Sequence, residues 1–377
     1  MKIVQAQTND HWRDFHHLPF RIYRDDPHWV PPLLLERKFH FNPKHNPFFE
    51  HGRASFWLAY QNGEPVGRIT AQIDQLHLDR HQDKTGQFGF IEAVDDPEVF
   101  SRLLQTAEEW LHEAGLVRAT GPISFSMWDE AGLLVEGFDS PPCVMMGHAR
   151  PYYATNIEAA GYRGVQDLLA YTYYADLPMP PFALRVLERA KKSGELRLRS
   201  IRMDKAHLED EIALILELLN DAWADNWGFV PMTSKEGIEF ARILKFLLRP
   251  GDVAIAEFRG QAAAFSMIFP NVNEAIRDLG GRLAPFGWAK LLWRLKVQGT
   301  RTARMPLMGV RKSLQSSAIG AALALSVIQA TRSFNIDNGA ESGELSWVLE
   351  SNVQANRVIQ MVGGEPHKRY RIYEKPL

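Results

Sequence analysis

The chain has 377 residues, 45% of them hydrophobic, with 43 Lys and Arg against 45 Asp and Glu and a formal net charge of −2. That length suits two domains with a sizeable core in each, and near-neutrality argues against a general nucleic-acid binder. One cysteine, Cys143, excludes an intrachain disulfide, no signal-peptide core follows Met1, and the longest apolar run, around Ala318 to Val327, is too short to span a bilayer, so a cytoplasmic protein is expected, peripheral to a membrane if it meets one.

In chain order, His40, His45 and His51 fall among Asn, Pro and Phe in an irregular stretch that could shape a pocket. A hairpin is expected over 56–69, where Asn62-Gly63 separates two apolar runs. His77 and His81 have helical spacing but no matching third ligand, and a surface loop is expected there rather than a metal site. Ile91 to Glu98 is acidic and carries no glycine; Asp96-Pro97-Glu98 reads as the cap and first turn of a helix over Phe100 to Leu111. Cys143 has the apolar neighbours of a core thiol. Pro178, Pro180 and Pro181 mark a linker, which sets the expected boundary between domains 1–176 and 177–377. A strand follows from Leu196 to Met203, then helices from His207 to Ala224 and from Ser234 to Leu247.

The two halves repeat one another. The spacing from Ala59 to Gly63 equals that from Ala256 to Gly260, and the spacing from Gly161 to Tyr171 equals that from Gly363 to Tyr373. A repeat on this scale reads as two copies of one domain. The pattern gives each copy helices on a mixed, mostly antiparallel sheet, an α+β class.

Residues 282–298 interleave Phe286, Trp288, Leu291, Leu292 and Trp293 with Lys290, Arg294 and Lys296. Such a segment can lie on an anionic bilayer, line the entrance for a greasy substrate, or pack as an amphipathic helix on its own domain. No acidic residue falls between Asp278 and Asp337, while nine Lys and Arg do, a one-sign field that favours an anionic ligand. Within it a short strand, Pro306 to Val310, runs into the basic small-residue turn Arg311–Gly320 and an Ala-rich helix from Ala321 to Arg332. A strand, a tight turn and a helix N-terminus offer unpaired N–H groups and a positive dipole end to a phosphate. A strand from Glu344 to Leu349, a helix from Asn352 to Val362, a Gly-Gly stop and a last strand ending at Tyr373 complete the pattern.

Gln315-x-x-Ala318-x-Gly320 resembles the pyrophosphate loop of the GCN5-related N-acetyltransferase (GNAT) superfamily, and Asn352-x-x-Ala355 with Gly363 resembles the helix after that family's fifth strand. Ala318 replaces the loop's first glycine, which requires its backbone to stay out of the left-handed region. The resemblance implies two tandem GNAT-like acyl-CoA N-acyltransferase domains, the first degenerate and the second holding a coenzyme A thioester, acetyl or longer, with no metal. It implies a pantetheine arm along the strand from Leu307 through Met308 and Gly309 to Val310, and a cofactor-binding turn of Arg311, Lys312, Gln315, Ser316, Ser317, Ala318, Ile319, Gly320 and Ala321. It further implies a small-molecule amine acceptor and no DNA partner. In size and two-copy layout the chain is similar to bacterial ceramide-synthase-like members of the superfamily, which would make the acceptor a long-chain amine.

Acyl transfer to an amine requires a base, because an ammonium has no lone pair. Alternation places Glu344, Ser346 and Glu350 on one polar face of their strand, so the two carboxylates are base candidates; pairing with nearby arginines is the other reading. Asn352 is expected to cap its helix and could also orient a ligand. Many family members carry a Tyr acid where Ile359 stands here; Tyr373 or Tyr370 could replace it, or the thiolate could leave unassisted. Two other functions fit the same residues: a non-catalytic acyl-CoA or lipid binder, and an aminoacyl-tRNA-dependent transferase of the same fold.

Overall fold

The computed structural model describes residues 1–377, the side chains of Ile243 and Leu244 aside. It forms two compact units, one of Met1–Leu169, Ile276–Gly287 and Lys368–Leu377, the other of Ala170–Ala275 and Trp288–His367. These cut the chain at other points than the 176/177 boundary. The prolines at 178, 180 and 181 do interrupt regular structure, but the segment they mark is fixed to the second unit: Ala175 N–H donates to Glu341 O at 2.8 Å, and Met179 is buried against Leu325 and Val362.

In the first unit, β1 (Lys2–Gln5), β2 (Gly52–Gln61), β3 (Glu64–Asp74) and β4 (Thr85–Ala93) pair antiparallel in chain order. Asn62 and Gly63, both at positive φ, make the β2–β3 turn. β5 (Arg118–Gly121) pairs parallel with β4 and antiparallel with Tyr373–Pro376 from the far end of the chain. Asp167 holds that last strand, accepting from Arg369 at 2.7 Å and Arg371 at 2.8 Å. After β4 comes a capped helix, Pro97–Glu113, with Asp96 accepting from Glu98 N–H at 2.9 Å. Phe15, Phe41, Phe48, Phe56, Phe90 and Phe125 form a buried aromatic core in this unit. The stretch 77–81, expected as a surface loop, is the end of a short helix (Gln75–His81), with His77 buried 3.3 Å from Asp83. Cys143 is buried.

In the second unit, β6 (Leu196–Ser200), β7 (Val253–Phe258), β8 (Gln261–Pro270) and β9 (Thr302–Val310) are antiparallel neighbours, and β9 pairs parallel with β10 (Ser342–Leu349). β8 shows how the sheet is sandwiched. Ser266 Oγ donates to Val327 O at 2.9 Å on the helix α3 (Ala318–Asp337), while the next residue, Met267, faces α1 (Leu208–Ala222) and α2 (Ser234–Leu244) with Leu219 and Phe240. The helix α4 (Val353–Met361) follows β10. The order hairpin, helix, parallel strand, helix thus occurs in both units, as the internal repeat implies.

Candidate active site

The turn between β9 and α3 ends in a capped helix N-terminus with open backbone donors. Ser317 caps α3, its Oγ accepting from Gly320 N–H at 3.0 Å. Ala318 is the first helical residue, so the position where the loop resembles a glycine is right-handed and tolerates a Cβ. Gly320 does not: a Cβ there would lie 2.1 Å from the Leu314 carbonyl oxygen. Ala321 N–H is used by Ser317 O at 3.1 Å. The N–H groups of Ser316, Ala318 and Ile319 have no protein acceptor among the described residues.

Beside the loop, basic residues of the field seen in the sequence are paired with carboxylates in space. Arg311 pairs with Glu217 at 2.9 Å and Lys312 with Asp225 at 2.6 Å, while Lys312 N–H donates to Asp221 at 2.8 Å. All three acids lie on α1 or just after it, about 90 residues upstream of the loop, beyond the reach of a local charge count. Arg301 pairs with Glu341, and Arg332 donates to the carbonyls of Ala175 and Leu177. What remains for a phosphate is mainly backbone.

The parallel ladder joins Thr302–Met305 to Ser342–Leu345 and stops there, although β9 runs on to Val310 and β10 to Leu349. The strands therefore part. On the freed edge of β9, Trp223 Nε1 donates to Met308 O at 2.9 Å and Gln315 Nε2 to Val310 O at 2.9 Å. Gly309 serves close packing, since a Cβ would sit 2.8 Å from Ala222 and 2.9 Å from Phe265.

Where the ladder ends lies a buried polar network. Glu344 is 5% exposed, Ser346 2% and Arg304 1%. Ser346 Oγ donates to Glu344 Oε1 at 2.6 Å and accepts from Arg304 Nε at 2.8 Å. His367 Nε2 lies 3.0 Å from Glu344 Oε2. Burial alone would raise the Glu344 carboxyl, but the hydrogen bond from His367, the Arg304 charge and the Ser346 hydroxyl outweigh it and hold the group below its usual range. Neither Arg304 nor His367 was singled out in the sequence. His367 sits on the final strand, 23 residues from its partner.

The other candidates fall elsewhere. Glu350 is exposed in the turn after β10, off the face that Glu344 and Ser346 share. Asn352 caps α4, accepting from Ala355 N–H at 3.1 Å. Tyr373 belongs to the first unit and is fully buried; its hydroxyl donates to Glu158 at 3.1 Å, and burial with that carboxylate raises it further. Ile359 lines an apolar cleft, partly open to solvent, between the sheet and the helices α3 and α4. Its wall is almost wholly apolar, including Met305, Ile328 and Leu345, with Glu344 at one side.

No family model matches the chain. It is 45% identical over 360 residues to Protein YghO of Escherichia coli K12, covering 95% of this chain and 91% of that one. It is 43% identical over 378 residues to the bacterial ceramide synthase of Caulobacter vibrioides, covering 100% and 98%. Among solved structures, it shares its fold with a tandem GNAT protein from the clavulanic acid biosynthesis pathway (TM-score 0.57, 13% identity, 100% and 98% covered). A GCN5-related N-acetyltransferase from Sphaerobacter thermophilus is similar too (TM-score 0.55, 14% identity, 99% and 95% covered). Repeated fold, parted strands and full-length relatives together make this chain a member of the bacterial ceramide synthase family, built on the tandem GNAT acyltransferase fold.

Proposed function

We propose that the protein is an acyl-CoA-dependent N-acyltransferase whose second unit binds the thioester and transfers a long acyl chain to the amino group of a long-chain, sphingoid-type amine. The observation that carries this is the parting of β9 and β10 beyond Met305 and Leu345, with open N–H groups at the head of α3 and an apolar cavity against the same two strands. A thioester needs all three: a slot for its arm, a cradle for its phosphates and a dry space for its chain. The name of the Caulobacter relative supports the choice of acceptor. A tRNA-borne donor has less support, because Arg301, Arg311 and Lys312 are already paired with carboxylates.

Thermal-shift titration with coenzyme A, acetyl-CoA and palmitoyl-CoA tests the site. Ligand at about 100 times its dissociation constant should add roughly 2.7 kcal/mol of stability, with palmitoyl-CoA the tightest. Absence of any shift would overturn the assignment. Release of free thiol with a sphingoid amine and palmitoyl-CoA then separates an enzyme from a binder.

A long-chain amine partitions into membranes, and one surface suits that source. On the helix Gly287–Trp293 and the turn after it, Trp288 is 55% exposed, Leu292 51%, Trp293 54% and Val297 72%. Lys296 donates to the carbonyl of Phe246, itself 73% exposed, and Lys290 and Arg294 flank the patch. Aromatic and aliphatic side chains beside cations match an anionic bilayer surface. Co-sedimentation with vesicles containing phosphatidylglycerol should be strong for the wild type and fall several-fold for Trp293→Glu, with folding intact. Equal recovery of both proteins, or none of either, would remove this surface from the account. Among the described residues no helix is long and apolar enough to cross a membrane.

A further inference from the structure

We infer that His367, not Glu344, is the group that takes the proton from the acceptor amine, and that Glu344 is the positioning residue that orients it. The inference rests on the N-acyltransferase reading above and deepens it.

Both oxygens of Glu344 are occupied, Oε1 by Ser346 and Oε2 by His367, and the carboxylate is buried. A carboxylate that is 5% exposed, hydrogen-bonded at both oxygens and close to the Arg304 guanidinium is held in its ionised form and is a poor proton acceptor. The His367 ring is more open. Its side chain is 26% exposed. With Glu344 ionised, Nε2 must carry the hydrogen that bridges to Oε2, which fixes the tautomer. The lone pair is then on Nδ1, which is not buried and has no protein partner among the described residues. Ser346 and Arg304 fix Glu344 from behind, so carboxylate and imidazole form an oriented base of the kind that activates nucleophiles elsewhere. The group lies where β9 and β10 begin to part, beside the proposed thioester slot.

The step balances. Nδ1 takes one proton from the incoming ammonium and later returns it to solvent. The freed amine nitrogen attacks the thioester carbonyl, forming the C–N bond. The C–S bond breaks with its electron pair on sulfur, and the second amine proton passes through water to that thiolate.

The test is steady-state and single-turnover acyl transfer from palmitoyl-CoA to a sphingoid amine, with palmitoyl-CoA affinity measured separately. His367→Ala should lower kcat by about 10²-fold or more, with the acyl-CoA KM within about twofold of wild type. Free imidazole should restore a measurable part of the rate, which it cannot do for a merely structural defect. Glu344→Gln should also lower kcat at unchanged acyl-CoA KM, and imidazole should not rescue it. His367→Ala turning over at the wild-type rate, or falling without imidazole rescue, would overturn the dyad. A wild-type enzyme inactive with every amine would instead overturn the reading on which it rests, so the two failures are distinct.

Discussion

Ile319→Glu should weaken coenzyme A binding by roughly 10- to 100-fold, the equivalent of about 1.5–3 kcal/mol of charge-assisted hydrogen bonding, while leaving the melting temperature unchanged or slightly raised. The two effects separate because of where Ile319 stands. It is the second residue of α3, 39% exposed, and its own N–H and that of Ala318 have no protein acceptor. A carboxylate in the first turn favours the helix by about 0.3–1 kcal/mol through the dipole. The same carboxylate occupies the place where a phosphate would sit and repels it. Gly320→Ala is the contrasting variant. Its Cβ would lie 2.1 Å from a backbone oxygen, so the turn must move, costing about 1–3 kcal/mol of stability along with binding. Wild-type affinity in a folded Ile319→Glu protein would mean the phosphates bind elsewhere.

This site was partly legible from the sequence, and the limits have physical causes. A cap, a tight turn and an Ala-rich helix are local features, so the α3 cradle and the Asn352 cap can be read from spacing. The capped helix that begins at Asp96-Pro97 in the first copy is equally local. The charge field misled because it was counted along the chain, whereas Glu217, Asp221 and Asp225 reach the loop through the packing of α1 on β9. Strand alternation correctly put Glu344 and Ser346 on one buried face but extended it to Glu350, where the strand has already ended. Which strands neighbour which is a long-range fact. Nothing near residue 373 reveals that its strand pairs with Gly121, or that His367, six residues earlier, meets Glu344.

The buried network carries the larger stability prediction. Glu344→Leu should cost about 3–5 kcal/mol, the usual scale for breaking a buried charge network, and Arg304→Met should cost less, because His367 and Ser346 still hold Glu344. Arg304 is 1% exposed, and the acceptors it meets on Ser346, Oγ and the backbone O, are neutral and do not replace the Glu344 charge. The double replacement should cost less than the sum of the two, because the attraction between the two charges is then lost only once. Urea denaturation of the four proteins gives the cycle directly. The pH dependence has a definite sign. Glu344 has a lowered carboxyl, so the stability it provides is fully present above the unfolded-state value of about 4.3 and is lost as pH falls through the lower folded value. The gap between wild type and Glu344→Gln should therefore be widest near neutrality and close on acidification below about pH 4. A gap that is flat with pH, or single variants whose costs simply add, would mean that Arg304 and Glu344 do not act on each other and that the network is packing rather than charge.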